Sequence, residues 1–184
     1  SSISLNLVLV PCPNATGNEN LVAKKWLQFE NIIKAKNFWE FLIKPKKFGS
    51  WPSKGLVIFL GGDQFWSVLL SARLGYLHMT YAEWIVRWPL WNNRIVAMSK
   101  SIVEKLPRQI QNRCSVIGDL TADLAEAAKI DDPLPSGKWI ALMPGSKSAK
   151  LKIGIPFFLD VADKISKLLP NSKFLIPLAP TTSI

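Results

Sequence analysis

One histidine in 184 residues narrows the chemistry at once. A two-histidine metal site is excluded, and His78 lies in the apolar, strand-like run Leu77 to Tyr81, which favours a packed structural role over catalysis. Cysteine is nearly as scarce. Cys12 and Cys114 are far apart and show no metal-ligand spacing, so they read as reduced, cytosolic thiols. No metal is expected. No apolar run reaches the roughly 18 residues of a membrane span. A signal peptide is not recognisable either: Ile3 to Val10 is short, lacks a basic leader and runs into Pro-Cys-Pro. Without a secretory route, the sequon Asn14-Ala15-Thr16 reads as chance. The chain opens on Ser and not Met, which points to a processed, cloned or incomplete sequence.

What the chain does have is apolar substance and positive charge. At 48% hydrophobic and 20% charged residues it is globular, with enough length for one large or two small domains. Lys and Arg number 23 against 13 Asp and Glu, a net charge of +10, which calls for an acidic partner: nucleic acid, an anionic membrane or a phosphorylated substrate. The charge is concentrated. Lys24 to Lys54 holds eight lysines and two glutamates, a net of +6, together with seven of the 19 aromatic residues. Within it Lys36, Lys44, Lys46 and Lys47 alternate with Phe38, Trp39, Phe41, Phe48 and Trp51. Rings with ammonium groups suit an anionic membrane interface, or bases stacked in single-stranded nucleic acid, or a core-facing aromatic stripe beneath a solvated lysine face.

Along the chain, strands alternate with helices. Leu5 to Val10 reads as a buried strand ending in the turn-rich PCPNATGNE, and Leu56 to Leu60 as another, ending in Gly61-Gly62-Asp63. A helix follows, with Phe65, Leu69 and Arg73 on one face and Gly75 as its C-terminal cap. Leu77 to Tyr81 and Arg94 to Met98 read as strands flanking a short aromatic helix or turn, Glu83 to Trp91. Ser101 to Glu104 is a capping box opening a short helix that stops near Pro107. Cys114 to Ile117 is strand, followed by a helix through Ala128. Residues 131–137, DDPLPSG, form the clearest linker, and beyond it strand 138–143, helix 155–169 and strand 173–178 make a βαβ unit. The pattern predicts α/β with mainly parallel sheets and two domains, 1–132 and 133–184, the second cut short at Ile184.

Trp139 to Lys150, WIALMPGSKSAK, carries the densest chemistry: an apolar strand, a Pro-Gly-Ser-Lys turn and a helix, where backbone N–H groups and a cation face an anion. It is not a P-loop, because the second Gly and the Lys-Ser/Thr pair are missing at the required spacing.

Four stretches, in order, resemble the lipid-A-disaccharide synthase family. MPGSKSAK resembles its L-L-P-G-S-R-x-x-E motif, and residues 116–123, VIGDLTAD, its V-G-H-P-L-x-D segment. Glu83-Trp84, Trp88, Trp91 and Arg94 resemble the W-A-W-x-x-R region, and FLGGDQF at 59–65 falls where the family carries I-D-x-P-D-F-N. The resemblance covers about Leu56 to Ile184. It departs at Lys147 for Arg, which keeps charge but loses the planar fork, at Lys150 for Glu, and at Gly118-Asp119 for Gly-His.

The resemblance implies GT-B architecture: a pair of Rossmann-like domains, an acceptor-side one over 1–132 and the start of a nucleotide-sugar-binding one over 133–184. It implies a hexosyltransferase that moves a sugar from a UDP-sugar to a lipid-linked acceptor with inversion, with no cofactor beyond the donor. Asp63 is the candidate base, its alternative role being a helix N-cap. Gly145, Ser146 and Lys147 are candidates for the uridine-diphosphate moiety. Asn14, Thr16, Asn18, Glu19, Gly61 and Gly62 are candidates for the acceptor side. Glu83 and Arg87 are expected to pair one helical turn apart. The expected partners are the UDP-sugar, the lipid-linked acceptor and an anionic membrane, without nucleic acid. The expected location is cytoplasmic, peripheral on the inner face of the membrane, and the donor loop would lie beyond Ile184, leaving this piece inactive alone. Alternatives are a basic aromatic nucleic-acid-binding module, a UDP-sugar epimerase and a non-catalytic relative.

Overall fold

The computed structural model describes residues 3–13, 15–26, 28–127 and 134–179. The chain is α/β with parallel strand pairing throughout the described residues, consistent with Rossmann-like folds. It divides into two compact units, residues 1–12 with 30–129, and residues 13–29 with 130–184.

In the first unit, β1 (Asn6–Val8) pairs in parallel with β2 (Asn31–Ile33), and the Asn31 amide donates across the pair to the Asn6 side-chain oxygen at 2.8 Å. Helix α1 (Glu19–Trp26) belongs to the other unit, and the short helix α2 spans Phe38–Ile43. Its Phe38, Phe41 and Leu42, at i, i+3 and i+4, are buried, and the two phenylalanines are fully so. They join Ile33 and Leu70 in one core, with Phe48 and Trp51 packed against it. The basic aromatic segment is therefore divided: Phe38 and Phe41 have no surface to offer a bilayer and serve the core, whereas Trp39 is 55% exposed. A turn of six residues exposes its carbonyls, and Arg73 takes two of them. Its guanidinium donates to Leu42 O at 2.5 Å and to Ile43 O at 3.0 Å.

The main sheet runs β3 (Leu56–Phe59), β4 (Leu77–Ala82), β5 (Arg94–Ala97), β6 (Cys114–Val116) in simple order, all parallel. Helix α3 (Gln64–Leu74) links β3 to β4, capped at its start by Asp63 and ended by Gly75 at φ 68°. Its buried face differs from the one the apolar spacing predicts. Gln64, Ser67, Val68, Leu70 and Ser71 are inward while Phe65 is 42% exposed. The reason is a polar seam beneath the helix: the Ser67 hydroxyl donates to Gln64 O at 2.8 Å and lies 3.0 Å from Nε2 of fully buried His78.

Between β4 and β5 there is no helix, only a loop and one 3-10 turn at Pro89–Trp91. Glu83 and Arg87 are thus not a turn apart, and no ion pair joins them among the described residues. The capping box at Ser101 does not form either. Helix α4 (Lys100–Glu104) starts after Ser99, whose hydroxyl meets that of Ser101 at 2.9 Å, while Glu104 reaches Lys100. Helix α5 (Arg108–Gln111) precedes β6, and α6 (Leu120–Ala127) follows it.

The second unit contains α1 (Glu19–Trp26), β7 (Lys138–Ala141), α7 (Ser148–Leu168) and β8 (Ser172–Leu175). β7 and β8 pair in parallel from Lys138↔Ser172 to Ala141↔Leu175, so the predicted βαβ unit is present with shorter strands. Its helix begins at Ser148, seven residues before the predicted start, and passes through Pro156. The proline removes the N–H that would reach the Lys152 carbonyl, and both residues are exposed, so water can satisfy that carbonyl. Residues 131–133 of the predicted linker lie outside the described residues.

Two outcomes test this packing. Arg73→Ala should lower stability by about 1–2 kcal/mol, read as a shifted urea midpoint, because two carbonyls lose a charged donor. Burial holds the His78 pKa below its ordinary 6.5. An unfolded chain therefore binds a proton that the folded one refuses. Stability should be full above that value and fall as pH drops below it, and His78→Gln should flatten the dependence in thermal melts.

Candidate functional site

In the first unit, three loops leave the carboxyl ends of β3, β4 and β6 of the parallel main sheet, the edge at which open α/β sheets bind ligands. The first is Gly61-Gly62-Asp63 after β3. Gly62 has φ 97°, and a Cβ there would lie 3.2 Å from the Val10 side chain, so the turn requires glycine. Asp63 is exposed and its Oδ1 accepts from Phe65 N at 3.0 Å. The helix-capping role is thus real. Oδ2 has no hydrogen-bond partner among the described residues, which leaves one carboxylate oxygen at this edge for a further proton or hydroxyl.

The second loop, 83–88, is fixed by a residue that sequence reasoning did not single out. Gln64 is buried, and its amide donates to Ile85 O at 2.7 Å while its oxygen accepts from Arg87 N at 2.8 Å. One side chain therefore ties the loop after β4 to the start of α3. The third loop, Gly118-Asp119, is held by Tyr81, whose hydroxyl donates to Gly118 O at 3.0 Å and accepts from Leu120 N at 3.2 Å. Asp119 caps its own helix through Thr121 N at 2.8 Å. A buried Gln at a helix start and a Tyr at a strand end carry no sequence signal of such roles beyond polarity in an apolar setting.

The candidates after β1 lie in the second unit. Glu19 accepts from Thr16 N at 2.6 Å, Thr16 Oγ1 at 3.0 Å and Gly17 N at 3.0 Å, and Asn18 N donates to Thr16 Oγ1 at 3.2 Å. Burial pulls the Glu19 pKa upward, but hydrogen bonds from Thr16, its own N–H and Gly17 outweigh it and hold the carboxylate below its ordinary value. Thr16 and Glu19 are committed to each other in a local knot that starts α1. Asn14 lies outside the described residues.

The Pro-Gly-Ser-Lys turn joins β7 to α7. Gly145 has φ 97°, Ser146 and Lys147 are exposed, and Lys147 occupies the N-cap position. Lys150 N and Leu151 N both donate to Lys147 O at 2.9 Å. The N–H groups preceding them in the first turn have no intrahelical acceptor by geometry, and a lysine side chain has none to give. The first turn also contains no acidic residue. Instead the Lys150 stem would lie 3.4 Å from a Cβ at Gly145, so a second lysine crosses the turn. Cations at the positive end of a helix are unfavourable until an anion arrives. Beside the turn is a pocket of about 470 Å³ lined by Met143, Pro144, Gly145, Ser146 and, from the end of β8, Pro177, Leu178 and Ala179. Its walls are mostly apolar with the polar turn at one side, a form that suits a flat ring carrying a charged group.

The helix approaches the turn closely because residue 154 is glycine. A Cβ there would stand 2.9 Å from both the Cβ and the carbonyl oxygen of Pro144. Gly154→Ala should therefore lower the melting temperature by circular dichroism, since overpacking of about 1–3 kcal/mol outweighs the alanine's gain of about 1 kcal/mol in helix propensity. A higher melting temperature would show that the turn yields freely.

The chain matches no protein-family profile. Over 60 residues it is 40% identical to a lipid-A-disaccharide synthase of Pseudomonas fluorescens (strain Pf0-1). The shared stretch is 33% of this chain and 16% of that protein, a small part of the relative's length. Over that stretch the chain is similar to lipid-A-disaccharide synthase, the family its motifs resemble.

Proposed function

We propose that this chain is glycosyltransferase-like, part of a protein that moves a sugar from a UDP-sugar to the hydroxyl of a lipid-linked acceptor with inversion. The observation that carries the reading is the α7 entrance: Lys147 and Lys150 at an acid-free helix start, beside a pocket open to the polar turn. Two phosphates of a nucleotide diphosphate meet that need, and the apolar pocket wall takes the base. The partial likeness to lipid-A-disaccharide synthase points the same way.

In this proposal residues 1–132 are the acceptor-side domain and 133–184 the start of the nucleotide-sugar domain, a GT-B pair of Rossmann-like domains. Asp63 takes the proton of the attacking hydroxyl through the carboxylate oxygen that the helix cap leaves spare, while Gly61 and Gly62 let the substrate approach the backbone. Gly145 and Ser146 offer backbone N–H and hydroxyl donors, and Lys147 offsets the charge that builds on the departing diphosphate. Gln64 positions the loop after β4 without touching substrate.

Calorimetric titration of UDP into the chain, alongside Lys147→Ala and Lys147→Arg, tests the reading. Roughly micromolar binding, weakened about tenfold or more by alanine and retained by arginine, supports it. Absence of binding to UDP and to every UDP-sugar would sink it.

A further inference from the structure

The composition of residues 131–137 marks a linker, yet its carboxyl end is bonded into the second unit by two side chains. The Trp139 indole N–H donates to Pro135 O at 2.7 Å, and the Lys173 ammonium donates to Ser136 O at 3.1 Å. The same ammonium stands 5.4 Å from the centroid of the Trp139 ring, within cation–π range. Trp139 and Lys173 are paired in the parallel register of β7 and β8, so the sheet that builds this unit also brings ring and ammonium together. Gly137 lies between the two anchored carbonyls and β7. Its φ is 145°, and a Cβ there would lie 3.4 Å from both Cε and Nζ of Lys173, so the backbone passes close over the lysine stem where glycine turns most readily.

We propose that Trp139 and Lys173 form a clasp that fastens residues 135–137 as a strap at the amino edge of β7 and β8, and that loss of the Lys173 ammonium opens it. Pro135 has no N–H with which to extend the β7 ladder, so its carbonyl is the group left to anchor, and the indole N–H takes it. Lys173 holds the strap at two points at once. It bonds the next carbonyl directly, and as a cation over the ring it draws electron density from the indole and strengthens the N–H as a donor. A lone exposed lysine has many rotamers to choose from and gives up that freedom only where several contacts reward one of them. Here the carbonyl, the ring and the glycine backbone all meet the same stem. The strap itself is exposed from Leu134 to Lys138, so without the clasp nothing on these side chains would keep it from water. The clasp is at the amino ends of β7 and β8, whereas the Pro-Gly-Ser-Lys turn and its pocket are at their carboxyl ends, so the two work separately.

Hydrogen exchange of the Trp139 indole N–H, followed by NMR on the 184-residue chain without nucleotide and assigned by its loss in Trp139→Phe, tests this. The expected result is exchange slowed about tenfold or more against free tryptophan, with most of that protection lost in Lys173→Met and kept in Lys173→Arg. Trypsin cleavage after Lys138, beside the strap, should quicken in Lys173→Met by a similar factor, because it needs the same local opening. Lys173 is exposed, so circular dichroism of its variants should match the parent. The proposal is overturned if the parent's indole exchanges as free tryptophan does, or if Lys173→Met exchanges as slowly as the parent. Protection lost in the arginine variant as well would show that the lysine stem and not its charge holds the strap, and would overturn the role given to the ammonium.

Discussion

Each strand-to-helix passage in this chain must reverse direction within a few residues, and that constraint sets where its chemistry can sit. After β3, β6 and β7 the reversal uses a glycine with positive φ: Gly62 at 97°, Gly118 at 90° and Gly145 at 97°. Such a turn brings backbone close to whatever occupies the strand end and aims the next helix's free N–H groups there. At Asp63 and Asp119 the chain caps those groups with its own carboxylates. At Lys147 it does the opposite and places cations where the helix already carries positive potential. The same backbone solution is thus capped twice by a carboxylate and once by a lysine, which has no acceptor to offer the helix.

The support around these turns is polar and buried. Gln64 and Tyr81 each make a pair of hydrogen bonds to backbone, and each pins one loop to an element that the sheet already fixes. Beneath α3, Ser67 and His78 add a neutral seam in place of more apolar packing. Buried polar groups of this kind cost stability when half satisfied and specify one arrangement when bonded. Here they decide the paths of the loops at the ligand edge of the sheet.

Much of this was legible in the sequence. Apolar runs located β3, β4, β5, β6 and β7, those of β3, β6 and β7 leading into glycine turns, and Gly75 marked the end of α3 because only glycine takes that cap readily. The Lys24–Lys54 segment was harder because lysines and aromatics hid a helical period. Phe38, Phe41 and Leu42 stand at i, i+3 and i+4 and are the buried stripe, with Trp39 and Ile43 on the outer face. β2 escaped notice because three residues, Asn31–Ile33, give no period to read. The start of α7 was misjudged because Pro156 suits a first turn, yet an exposed proline is tolerated deeper in a long helix. At the site, the Pro-Gly-Ser-Lys turn announced itself by composition. The roles of Gln64 and Tyr81 did not, since they depend on partners 21 to 39 positions away.

The central claim is that the entrance of α7 is an anion site with an apolar base pocket beside it. Amide chemical-shift mapping of the labelled chain with pyrophosphate, uridine and UDP in turn addresses it most directly. The account predicts that pyrophosphate moves the amides of Gly145 to Leu151, that uridine moves those around Met143 and Leu178, and that UDP moves both sets. Pyrophosphate shifts that fall instead on the lysines of residues 24–54, with the α7 entrance silent, would contradict it.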